Sequence, residues 1–280
     1  MLLSLARFIM SGPWQGIVLA PLLFLHPWTS WLSLAILGLV GLRQGPFNAG
    51  LIVLSVLLIQ LLPARTFQLI DIVSVTVVFI ASQVLRKTVR LDWALLAVTG
   101  SAFLGLAVIK LTAGFVFEPI VENYRIFHET LSKELSAAVN EAWNQQDLFV
   151  LAVESVAWAV AIKSCIALFL ARWWQAQLYN PGGFKNEFLS LKFVPAVVWG
   201  LSLGYLSTVL FLSQWSPLAQ LFRIPLFFGG LAVTMWWFVE KEVMMVWRVI
   251  FFASLLITHP FVVLLGVFDS FWNLRKKMTR

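Results

Sequence analysis

Charge is what this chain has least of. Only 12% of its 280 residues are Asp, Glu, Lys or Arg, while 60% are hydrophobic. A soluble domain carries about 25% charged residues, so this composition cannot coat a fold in water. Cysteine is almost missing too. Cys165 stands alone inside an apolar run, which excludes an intramolecular disulfide and a cysteine-based metal site. Histidine is nearly as scarce: His26, His128 and His259 have no metal-ligand spacing, and two of them precede proline. No H-E-x-x-H, G-x-S-x-G or Walker motif is present. The chain is therefore expected to be non-catalytic, with no cofactor and no bound metal. A basic start with a small-residue cleavage pattern is also absent, so no removable signal peptide is expected.

What is abundant is apolar sequence in long runs. Hydrocarbon tolerates such a surface and forces the backbone into helices or a closed barrel. A barrel would alternate apolar and polar residues over about ten positions, whereas these runs are continuous. The expected fold class is an all-α, polytopic transmembrane helical bundle of about 9–10 apolar segments with one outer-side amphipathic helix. The segments cover residues 5–25, 28–42, 47–62, 67–85, 93–111, 148–171, 193–213, 222–239, 244–258 and 260–273, within one membrane domain, 1–280. His26-Pro27 separates the first two and His259-Pro260 the last two, each marking a tight turn or a kink.

The formal charge of +7 is read as basic cytoplasmic loops, not as nucleic-acid binding. If all ten segments cross and the N-terminus is inside, 14 of the 20 Lys and Arg residues fall inside, five outside and one, Lys163, within the membrane. This places both termini on the cytoplasmic side. The 14 Trp residues suit the membrane–water interfaces.

Residues 118–147 do not read as a span. Ile120, Tyr124, Phe127, Leu131, Leu135, Ala138 and Ala142 form one helical stripe, and Glu118-Pro119 supplies a start. An acidic helix is poorly suited to anionic lipid. Its stripe is expected to pack on the protein's own outer surface or on a partner.

Charges inside spans are functional hypotheses. Asp71, Glu154 and Lys163 are candidate solute-binding residues, with a structural ion pair as the plainer reading. Glu154 and Lys163 lie nine residues apart, about 900° around a helix, so they do not pair; Lys110 could meet Glu154 at similar depth. Small residues Gly12, Gly16 and Ala20 line one face of the first segment, either for internal packing or to dock a membrane partner. Ala97, Ser101 and Gly105, and Ala196, Gly200 and Gly204, repeat the pattern. Residues 172–192 read as a cytoplasmic loop, with Arg172, Trp173 and Trp174 as an interfacial anchor and Asn180, Pro181, Gly182 and Gly183 as a turn. Those seven residues are the second candidate docking surface.

The stretch Arg172-Trp173-Trp174-Gln175 through Tyr179-Asn180-Pro181-Gly182-Gly183-Phe184 resembles the YybS-like family of bacterial membrane proteins, as does the ending from Gly266 to Lys277. That family looks distantly like the substrate-binding S-components of energy-coupling-factor transporters. The resemblance implies a non-catalytic solute-binding or uptake subunit, energised through a membrane coupling subunit and a separate ATPase. It also implies a docking role for Gly12, Gly16 and Ala20. The alternative is a structural or assembly component of the cell envelope.

Overall fold

The computed structural model describes residues 2–60, 69–135 and 145–278. All regular structure among these residues is helical, as hydrocarbon requires of any segment that is not in a closed barrel. Four short apolar helices come first: α1 (Leu2–Met10), α2 (Pro13–Phe24), α3 (Ser30–Arg43) and α4 (Pro46–Ile59). The hairpin α5 (Leu69–Thr88) and α6 (Leu91–Thr112) follows, then the polar α7 (Glu118–Leu135) and the long α8 (Gln145–Tyr179). The C-terminal part comprises α9 (Gly183–Leu189), α10 (Pro195–Leu210), α11 (Ser216–Ala219) and α12 (Arg223–Glu240). It ends with α13 (Met245–Ala253), α14 (Leu255–Trp272) and α15 (Leu274–Met278).

The apolar runs fold as helices of unequal length. Among the described residues four stretches are long and apolar enough to cross a membrane: Leu69–Thr88, Leu91–Thr112, Asp147–Tyr179 and Ser216–Glu240. A fifth arises only if α13 and α14, bent by 106°, count as one. The other apolar helices stop short. At 1.5 Å per residue, the 14 residues of α3 reach about 21 Å, against ~30 Å of hydrocarbon.

The core centres on α3. Leu34 to Leu42 are all buried, because α2, α4, α5 and α8 surround the helix; a helix apolar on every face needs such enclosure. A Cβ on Gly38 would lie 2.9 Å from the Ala171 Cβ, so α3 and α8 lie in close contact. α8 itself has 35 residues, about 52 Å of helix, and it touches both the N-terminal cluster and the C-terminal helices.

One end of the bundle gathers the basic residues. Arg43 stacks on Tyr179 at 3.7 Å. Arg172 donates to both carboxylate oxygens of Glu187, closing α9 back onto α8. Arg90 and Lys192 line the same small cavity at this end, and Arg275 donates to the carbonyls of Leu189 and Leu191 at 2.5 and 2.6 Å. Burial pulls the Arg275 guanidinium below its ordinary value, and Asp269 beside it works in the opposite direction. This contact ties the segment after α9 to α15 at the C-terminal end.

The two His-Pro pairs behave differently. His26-Pro27 lies in the turn between α2 and α3, where the Thr29 hydroxyl donates to Leu23 O. His259-Pro260 lies inside α14, and the break falls five residues earlier, at Ser254. Proline's clash is with the carbonyl four residues back, here in the first turn of α14, so the helix absorbs it. In α7, Ile120 packs on the core while Ile126 and Phe127 are more than half exposed. Of the stripe, Ile120 packs on the chain's own surface and Phe127 does not; the side chains of Leu131 and Leu135, and the residues Ala138 and Ala142, lie outside what the structure describes.

Candidate functional site

Four side chains of α8 at four-residue intervals, Glu154, Trp158, Ile162 and Ile166, form one wall of a half-open cavity of about 670 Å³. This spacing keeps them on one helix face. The opposite wall comes from Phe227, Phe228 and Leu231 of α12, with Phe252, Leu255 and His259 from α13 and α14. Trp158 meets His259 edge to face, with ring centroids 6.1 Å apart. Where α12 crosses α14, Gly230 and Gly266 let the two backbones touch: a Cβ on Gly230 would lie 1.7 Å from Val262 O, and one on Gly266 2.2 Å from Leu226 O. That crossing fixes the wall carrying Leu231.

Besides His259 and the Trp158 indole, the polar side chains of the cavity are Glu154, Gln220 and Arg223. Arg223 Nη1 donates to Gln220 Oε1 at 2.8 Å. Glu154 lines the same cavity as this pair. The cavity thus brings a carboxyl, an amide and a guanidinium into a largely aromatic and aliphatic wall. From Glu154 to Ile166, twelve residues on, the α8 wall runs about 18 Å.

The three candidate solute-binding residues divide between two places. Lys163 Nζ lies 3.6 Å from Asp71 Oδ1, and Gln60 Nε2 donates to Asp71 Oδ2 at 3.5 Å. Lys163 also lines a second cavity of about 450 Å³ with Pro27, Ser30 and Trp31. The two cavities share Ile162 and Ile166. Glu154 stands apart from the pair, on the cleft face. Lys110 does not reach Glu154: it donates to Gln214 O and lies 5.1 Å from the Trp215 ring.

The docking expectations change more. Gly16 faces inward, where its Cβ would meet Val40 and Ile52 at 3.2 Å, and Ala20 is fully buried. Gly12 caps α2 in an extended conformation. The small-residue face is therefore covered by the chain's own α3 and α4, and α2 turns Trp14, Val18 and Leu22 outward instead. Residues 172–179 are not loop but the last turns of α8, with Trp174 fully buried and Trp173 packed against the core. Only Asn180, Pro181 and Gly182 keep an exposed turn, with Gly182 at φ +87° and Gly183 opening α9. Neither the pair Gln220–Arg223 nor the Gly230–Gly266 crossing was singled out from sequence. Gly229-Gly230, together with Gly266 four residues before Ser270, was the available signal.

Among the described residues no three of His, Cys, Asp and Glu come close enough to hold a metal. No family model, curated protein or solved structure matches the chain.

Proposed function

We propose that this chain is a non-catalytic integral membrane protein of the bacterial inner membrane that binds a small solute in the cleft beside α8. The observation that carries this reading is that Glu154 and the hydrogen-bonded pair Gln220–Arg223 line one largely apolar cavity of about 670 Å³. A few convergent polar groups in an apolar pocket of this size are the usual form of a small-molecule site. Ionisable groups within apolar spans are costly to keep without a task. The basic end formed by Arg43, Arg90, Arg172, Lys192 and Arg275 supports a cytoplasmic C-terminus under the positive-inside rule. The YybS-like resemblance supports uptake energised by a separate ATPase. In that case the Trp14–Val18–Leu22 face of α2, not the buried glycine stripe, is the surface offered to a coupling subunit.

The test is native mass spectrometry of the protein purified in mild detergent, wild type against Leu231→Trp, whose indole fills the cleft. Wild type is expected to retain a stoichiometric small molecule that the variant lacks at an unchanged melting temperature. An empty wild type, or equal retention by the variant, overturns the reading. A second reading, an envelope assembly component, draws on the exposed Ile126 and Phe127 of α7. It predicts an empty cleft and loss of a partner complex when residues 118–144 are deleted.

A further inference from the structure

Glu154 and Arg223 bring opposite charges to the cleft, with the Gln220 amide on Arg223, and no other Asp, Glu, Lys or Arg lines it. A ligand that satisfies both presents a cation to Glu154 and an anion to Arg223. A simple anion or a simple cation would leave one of the two charges facing it with like sign.

The rest of the cleft selects for something other than a small polar zwitterion. Away from these two residues the α8 wall runs about 18 Å past Trp158, Ile162 and Ile166, with Phe227, Phe228 and Leu231 opposite. These side chains offer no charged partner, and burying an apolar chain against them gains about 0.8 kcal/mol per methylene. The open side is lined by exposed apolar side chains, Ile166 at 47% and Phe252 at 45%. Such a rim faces hydrocarbon at little cost, so the route into the cleft is from the bilayer. The volume lies in the range of drug-sized ligands, which suits one acyl chain and not two.

We infer that the occupant of this cleft is a single-chain zwitterionic amphiphile, its ammonium at Glu154, its anionic group at Arg223 and its acyl chain along α8 toward Ile166. This rests on the solute-binding reading above and names the class of the solute. The same groups then explain why the cleft is half-open: an amphiphile enters sideways from the leaflet with its head drawn to Glu154 and Arg223.

The experiment uses the full chain in mild detergent, titrated by native mass spectrometry with three probes. These are lysophosphatidylethanolamine, lysophosphatidylglycerol with the same acyl chain, and tail-less glycerophosphoethanolamine. One lysophosphatidylethanolamine is expected to bind at least tenfold more tightly than either of the others. Glu154→Gln should reduce its preference over lysophosphatidylglycerol about tenfold, Arg223→Gln should weaken both lysolipids, and Leu231→Trp should abolish binding. Equal binding of the tail-less probe overturns the lipid class while leaving the cleft as a solute site. Equal binding of the two lysolipids overturns the headgroup assignment. Lysophosphatidylethanolamine binding that none of the three variants changes overturns both this inference and the cleft itself.

Discussion

Replacing Gly230 by alanine tests how the cleft wall is held. The added Cβ would sit 1.7 Å from the Val262 carbonyl oxygen, where ordinary contact begins at 3.4 Å. The obstacle is backbone, so no side-chain rotation relieves it, and α12 and α14 must separate by more than an ångström. Overpacking of this kind costs about 1–3 kcal/mol, and a clash this deep belongs at the upper end. At about 2–4 °C per kcal/mol for a chain of this size, melting should fall by about 6–12 °C. Gly266→Ala meets Leu226 O at 2.2 Å and should do the same. The double variant should lose less than the two single losses combined, since both open one contact. Gly100→Ala and Gly200→Ala are the controls, because nothing lies within 4 Å of a Cβ at either position. Tryptophan fluorescence melts in detergent read all five proteins. If Gly230→Ala melts with the controls, the close crossing of α12 and α14 is wrong, and the Leu231 wall is not where it is drawn here.

Three further outcomes follow from other contacts. Removing one member of the Asp71–Lys163 pair, by Asp71→Asn or Lys163→Met, leaves a partly buried charge and should destabilise by about 1–3 kcal/mol; Asp71→Leu with Lys163→Met should recover most of it, measured as a double-mutant cycle of melting. Arg172→Lys cannot reproduce the two-pronged contact with Glu187, so α9 should become protease-sensitive while Lys185→Ala leaves it resistant. On α7, Arg125 donates to both oxygens of Glu122 and holds its carboxyl below the ordinary glutamate range. A depressed folded value contributes stability that is fully present above the unfolded value, about 4.3, and is lost as pH falls through the folded one. An NMR titration of the Glu122 carboxyl should therefore give a midpoint below the ordinary glutamate value, and Arg125→Ala should return it to that value.

How much was legible varied with the kind of residue. The runs at 67–85 and 93–111 match α5 and α6 within a few residues, because two full spans joined by Arg86, Lys87 and Arg90 leave little choice. The separation of Glu154 from Lys163 followed from helical angle alone. Trp174 was misread because Arg172 looked like the end of a span. Its charge is instead met by Glu187, fifteen residues on, which lets α8 continue to Tyr179 and buries the indole. Gly12, Gly16 and Ala20 formed a visible stripe, but a stripe does not say which surface covers it, and α3 and α4 supplied that surface. Helix lengths were less legible. An apolar run of fifteen residues reads the same whether lipid or protein surrounds it, and α3, at 14 residues, is surrounded by α2, α4, α5 and α8.

The most direct test replaces Leu231 with the photoreactive residue p-benzoylphenylalanine and reads the mass of what it captures in the native membrane. Leu54, exposed on α4 and away from the cleft, receives the same replacement as a reference. Binding in the cleft predicts one dominant adduct at position 231, a single-chain zwitterionic lipid, and a mixture of bulk two-chain lipids at position 54. The same bulk mixture at both positions would mean that the α8 cleft is ordinary lipid-facing surface and binds nothing of its own.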